Sequence, residues 1–199
     1  MKKNYFLPAL VVIASVGLFL YISLKSRGPD ERQYENLKDG RITVLPAQKM
    51  IEFEIKGIPS ETSGKAIGML YRTFYNLKNN KVKNPIIRAR WQGSLDNPES
   101  ITGRFGMAVS EEVTEIPPEA AAQGIRLAIW EYGMVAEILH KGPYDREKPA
   151  VEKLQKFIKD NGYTIIDSHE EEYIRGPSFV FDDPSKYITI IRYRVKKAK

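Results

Sequence analysis

Val135-Ala136-Glu137-Ile138-Leu139-His140-Lys141-Gly142-Pro143-Tyr144 is an extended, apolar-rich run that ends in a glycine-proline turn. Glycine permits the backbone reversal and proline removes a ladder donor, so the strand must stop there. Upstream, the run is entered through a hairpin, Arg126 to Tyr132 with a turn at Gly133. Downstream, Asp145 is placed to N-cap a helix with Pro149 in its first turn and Val151, Leu154, Phe157 and Ile158 on one apolar face. Asn161-Gly162 closes that helix. Two strands follow, around Ile165 to Arg175 and Tyr187 to Val195, with Asp182-Asp183-Pro184 between them.

The same order is written once before. Glu54-Ile55-Lys56-Gly57-Ile58-Pro59 matches the glycine turn, with Gly57 lying 85 positions ahead of Gly142. Asp96-Asn97-Pro98 precedes Asp182-Asp183-Pro184 by 86, as Val109 precedes Val195. Ile51, Phe53 and Ile55 alternate as in a half-buried strand, and from Ser63 the spacing changes to Ile67, Leu70, Tyr71 and Phe74, one face of a helix that frays at Asn79-Asn80. Ile87, Ala89 and Trp91 then alternate with Arg88 and Arg90, Phe105, Met107 and Val109 follow, and a connector, Glu115-Ile116-Pro117-Pro118-Glu119, joins the halves. The expected fold is α+β: two pseudo-symmetric strand-helix-strand-strand repeats that pair their sheets, with a ligand-sized cleft between them.

Ahead of this module, Tyr5 to Leu24 contains no charge after Met1-Lys2-Lys3-Asn4. As a helix rising about 1.5 Å per residue it would cross a hydrocarbon core of roughly 30 Å, which predicts a single-pass membrane anchor over residues 1–24. No small-x-small cleavage site follows it. Residues 25–44 read as a linker and residues 45–199 as the folded domain. Basic residues on both flanks leave the side of the membrane open. The chain has no cysteine, which excludes disulfides and thiol chemistry.

The formal net charge is +6. Its excess sits in residues 1–44 and in Lys196-Lys197-Ala198-Lys199, while residues 45–195 carry equal numbers of basic and acidic side chains. A domain with no basic stripe lacks the phosphate-neutralising term of nucleic-acid affinity, so no nucleic-acid partner is expected.

The run Val135 to Tyr144 with its Gly142-Pro143-Tyr144 turn, the helix, Gly162-Tyr163, the acid-rich Glu171-Glu172-Tyr173 strand, the Asp182-Asp183-Pro184 loop and the last strand together resemble the GyrI-like effector-binding domain of the SOUL/GyrI superfamily, over roughly Gln48 to Val195. The resemblance implies a central cleft that binds lipophilic, often cationic aromatic molecules, with a glutamate as counter-charge and aromatic walls. Carried onto this chain, the glutamate is Glu171 and the tyrosines are Tyr173 and Tyr144. The run Glu170-Glu171-Glu172 leaves the register open by one position, and a slip of one turns the other face inward. Trp91, on the corresponding strand of the first half, is a further wall candidate. Each has a plainer reading: a solvated strand edge for the glutamates, core for Trp91 and turn stiffening for Tyr144.

The two histidines, His140 and His169, lack partners at metal-ligand spacing, so no metal site is expected; the resemblance to SOUL-type haem-binding proteins makes haem at His140 a minor alternative, and no cofactor is the favoured expectation. No nucleophile-base pair is visible. Binding of a small lipophilic ligand, without catalysis, is the favoured reading. The alternatives are a GyrI-like hydrolase using Glu171 and a tyrosine, or a protein-interaction scaffold at the membrane. No helix-turn-helix segment precedes the module, which argues against direct transcription control.

Overall fold

Alternation of side chains decides which face of each strand is covered, and here it builds one antiparallel sheet. The computed structural model describes residues 30–93, 98–177 and 182–198. The folded unit covers Gln33–Lys199. Its strands are β1 (Arg41–Leu45), β2 (Gln48–Lys56), β3 (Ile87–Gln92), β4 (Thr102–Ala108), β5 (Arg126–Trp130), β6 (Gly133–Lys141), β7 (Tyr163–Ile165), β8 (His169–Arg175) and β9 (Ile188–Lys197). The helices are α1 (Pro59–Tyr75), the short α2 (Pro118–Ala122) and α3 (Lys148–Asp160). The sheet runs β1-β6-β9-β8-β3-β4-β2-β5, with β7 paired to β9. Its centre is therefore the β8–β3 seam. Outward from that seam lie β9, β6 and β1 on one side, and β4, β2 and β5 on the other.

One face of the sheet carries the helices. α1 buries Ala66, Leu70 and Phe74 against Ile51, Phe53, Ala89, Phe105 and Met107. α3 buries Leu154 and Ile158 against Ala136, Ile138, Ile191 and Tyr193. Full burial of such a side chain contributes roughly 1.5–3 kcal/mol. Proline starts both helices where the absent N–H costs nothing. The glycines of the two matched turns adopt φ of +135° at Gly57 and +132° at Gly142, a region that side chains avoid. Both turns close alike: the Gly57 amide donates to the Ile101 carbonyl at 2.9 Å and the Gly142 amide to the Tyr187 carbonyl at 3.0 Å. His140 Nε2 lies 3.0 Å from the Pro143 carbonyl oxygen, so this imidazole braces the second turn.

Several expectations are corrected. Part of the supposed linker 25–44 is folded: Arg41 to Leu45 pairs with β6, and Ile42 packs into the α3 core. β5 does not pair back on β6 as a hairpin; it crosses to β2, placing Ile51 opposite Leu127. The strand expected from Ile165 to Arg175 is two, because β7 and β8 both contact β9 at different places. Asp145 does not cap α3; it lies in a 3₁₀ turn, Tyr144–Arg146, and Glu147 occupies the N-cap. The expected membrane span over residues 1–24 lies outside the described residues, among which no helix is long and apolar enough to cross a membrane. Asp96 and Asn97 of the first loop lie outside them too.

Candidate functional site

The three glutamates of β8 are all buried, at 3 %, 6 % and 7 % exposure for Glu170, Glu171 and Glu172. A central strand, not a solvated edge, carries them. Strand alternation sends Glu170 and Glu172 to the face away from the helices, where arginines are waiting. Arg192 bridges Glu170 at 2.6 Å, Glu172 at 2.9 Å and Glu137 at 2.6 Å. Arg90 meets Glu170 at 2.7 Å and Arg88 meets Glu172 at 3.1 Å. The Tyr132 ring covers the group, 5.7 Å from the Arg88 guanidinium, 5.1 Å from that of Arg90 and 5.5 Å from that of Arg192. Buried charges demand such pairing. Burial opposes the charge of Glu172, but Arg88 and Arg192 hold its carboxyl below the usual range.

Glu171 points the other way, with His169 and Tyr173, toward the start of α3. This settles the register left open by the sequence. Among the described residues no arginine or lysine pairs with it; its nearest ionisable partner is His169, whose Nε2 is 3.4 Å from Glu171 Oε1 and 3.8 Å from Glu147 Oε1. His169 Nδ1 is 3.2 Å from the Tyr193 hydroxyl, whose ring meets the imidazole edge to face at 5.4 Å. Burial pushes Glu147 up to about 7, with the charge of Glu171 adding and His169 opposing. For His169 burial disfavours the cation, yet the two carboxylates outweigh it and raise its pKa.

The four residues expected from the sequence come together. Trp91 on β3 stands opposite His169 across the seam, next to Ala89 opposite Glu171. Tyr144 and Tyr173 meet edge to face at 5.3 Å, and Tyr144 tilts on Tyr187 at 5.1 Å. Trp91 and Tyr173 both pack on the α1 core, and Trp91 meets Phe105 at 5.2 Å. Trp91 is thus wall and core at once. Burial raises the pKa of Tyr144, helped by Tyr187 and Glu171, and raises that of Tyr173, helped by Glu171, so both phenols stay neutral. Glu147 Oε2 is buried without a hydrogen-bond partner, and the nearest carboxylate approach to His169 Nε2 is the 3.4 Å contact with Glu171. Two clefts, of about 50 and 60 Å³, lie elsewhere: one beside α2 at Thr73 and Ala120, the other on the arginine face at Arg90 and Arg104.

Sequence reasoning missed Glu147 and the partners of His169. Neither is marked by spacing, because the turn after β6 brings Glu147 to β8 only in the folded sheet. The one available signal was the parity of β8: His169, Glu171 and Tyr173 share a face if any of them is functional.

Residues 39–196 match the GyrI-like small molecule binding domain. No curated protein matches the chain. Among solved structures, an uncharacterized conserved protein from Listeria innocua superposes with a TM-score of 0.67 at 21% identity, covering 83% of this chain and 97% of that one. A hydrolase from Listeria innocua gives 0.64 at 17% identity over 83% of this chain and 96% of its own. The EcmrR C-terminal domain gives 0.65 at 17% identity over 81% of this chain and 99% of its own. A fold shared by proteins so differently described assigns no activity by itself.

Proposed function

Since the chain belongs to the GyrI-like family of small-molecule binding domains, we propose that it binds a small lipophilic cation, with Glu171 as counter-charge and Tyr144, Tyr173 and Trp91 as aromatic walls. One observation carries this: Glu171 is the single member of its glutamate run without an arginine, and it is buried among rings. A carboxylate in such a place is costly until a cation joins it. Aromatic faces add attraction on the order of 1–2 kcal/mol when desolvated. Tyr144 rests against Tyr173 and Tyr187, so a ligand entering here parts those rings. The uncharged run Tyr5 to Leu24 supports placing this binding site at a membrane, where lipophilic cations concentrate.

The test is the melting temperature of the full chain with and without a tetraphenylphosphonium salt, in parallel with Glu171→Gln. At about 100 times the dissociation constant a ligand stabilises the fold by roughly 2.7 kcal/mol. A shift in the parent that vanishes in Glu171→Gln supports the reading; equal shifts in both, or none in either, reject it. Membrane fractionation of the full chain tests the anchor separately.

A hydrolytic reading is favoured by one feature of the same site, two carboxylates flanking a histidine with tyrosine hydroxyls beside them. Such groups serve as general acid and base when a substrate lies within hydrogen-bond reach. Turnover of a lipophilic electrophile, lost in Glu171→Gln, distinguishes it from binding alone.

A further inference from the structure

We propose that Glu147, His169 and Glu171 form a binding site for one divalent transition ion of the zinc class. One ligand atom from each side chain lies within 4.8 Å of the other two. Metal–nitrogen and metal–oxygen bonds of about 2.0–2.2 Å with tetrahedral angles set ligand atoms roughly 3.3–3.6 Å apart. At His169 Nε2 the 3.4 Å separation to Glu171 lies within that span and the 3.8 Å separation to Glu147 slightly exceeds it, so binding draws the Glu147 carboxylate inward. The chemistry of the donors suits the ion: two carboxylates balance a dication's charge, and a neutral imidazole is the usual nitrogen ligand.

The support around the donors is what a metal requires. His169 and Glu171 stand on the same face of β8, between β9 and β3, where the backbone is held on both sides. The Tyr193 hydroxyl at 3.2 Å from Nδ1 orients the imidazole so that Nε2 faces both carboxylates. Glu147 Oε2 is buried with no hydrogen-bond partner, which an ion would supply. Three protein ligands leave a coordination position open for water or another small ligand. The ion would then occupy Glu171, so metal and lipophilic cation exclude one another. The metal site stands on its own geometry and holds whether or not an organic cation binds.

Equilibrium dialysis of the full chain against zinc chloride, with cobalt chloride for visible absorption, tests it. One zinc ion per chain is expected, with cobalt giving ligand-field bands that zinc displaces. His169→Gln and Glu147→Gln should each weaken binding at least tenfold, and Tyr193→Phe about 10–100-fold through the lost orienting contact. Circular dichroism shows which variants remain folded; Glu147 is at the cap of α3, outside the sheet core, so Glu147→Gln keeps the test decisive if His169→Gln misfolds. Absence of stoichiometric zinc binding by the folded parent overturns the proposal, as does binding unaltered in a folded Glu147→Gln. Absence of a tetraphenylphosphonium shift in the metal-free parent, when that same parent binds zinc, would instead overturn only the organic-cation reading.

Discussion

Glu171 and Glu172 are consecutive residues with opposite fates: Glu172 is 2.9 Å from Arg192 on the arginine face, while Glu171 lies 3.4 Å from His169 on the helix face. One is structural and the other is available. Substitution should separate them. Glu172→Gln leaves Arg192 and Arg88 short of a buried partner and is expected to cost about 3 kcal/mol, the scale for breaking a buried pair. Glu171→Gln removes no arginine partner and should cost less than about 1 kcal/mol while abolishing the ligand response. Urea unfolding of both variants checks this, and equal losses would contradict the division of roles.

Tyr144 approaches Gly176 so closely that a Cβ there would sit 2.6 Å from the tyrosine hydroxyl oxygen. Gly176→Ala must therefore displace Tyr144, at a cost of about 1–3 kcal/mol for overpacking. Tyr144→Phe removes the clashing oxygen. A double-mutant cycle read by thermal unfolding should show that Gly176→Ala costs at least 1 kcal/mol less in the Tyr144→Phe background, on the order seen for residues in contact. Additive effects would mean that Tyr144 does not occupy this position.

How much was legible beforehand follows from these pairs. The alternation of Ile51, Phe53 and Ile55 and the helical spacing of Leu154 and Ile158 are local, and they place strands and helices without knowledge of neighbours. The Gly142-Pro143-Tyr144 turn and the Glu171-x-Tyr173 strand pointed to residues that the sheet does bring together. What stayed hidden is cross-strand. Nothing local says that β5 passes β6 to pair with β2, since both are short apolar strands with a tight turn between them. The burial of Glu170 and Glu172 was illegible for the same reason: Arg88, Arg90 and Arg192, which make it tolerable, come from β3 and β9. Glu147 was hidden because a 3₁₀ turn, not Asp145, opens α3.

Tyr132 links the arginine face to alkaline stability. Burial first, then the charge of Glu170, raises its pKa to about 12, against the opposing pull of Arg88, Arg192 and Arg90. Its folded pKa lies above the unfolded value near 10, so its contribution is complete below about pH 10 and is lost as pH rises toward 12. Two units correspond to roughly 2–3 kcal/mol. Unfolding free energies between about pH 9 and 12 should fall more steeply for the parent than for Tyr132→Phe, which carries no ionisable ring. Identical slopes would show that Tyr132 ionises freely.

β1 gives the last expectation, because it lies in a stretch that reads as linker. Arg41 pairs with Glu137 at 2.6 Å, and Ile42 packs with Ala136 and Leu154 around the α3 core. Strand β1 also covers the edge of β6, which would otherwise present unpaired N–H and C=O groups. A chain begun at Leu45 therefore loses a half-exposed ion-pair partner of the buried Glu137, a packed isoleucine and the protection of an edge. It should unfold at a lower urea concentration than a chain begun at Asp30, by the equivalent of about 3 kcal/mol or more, and should self-associate on concentration. Arg41→Ala with Ile42→Ala in the longer chain isolates the side-chain share. That double variant is expected to lose stability while staying monomeric, since the β1 backbone still caps the sheet; equal stability and solubility of the short and long chains would return Arg41 to Val44 to the linker.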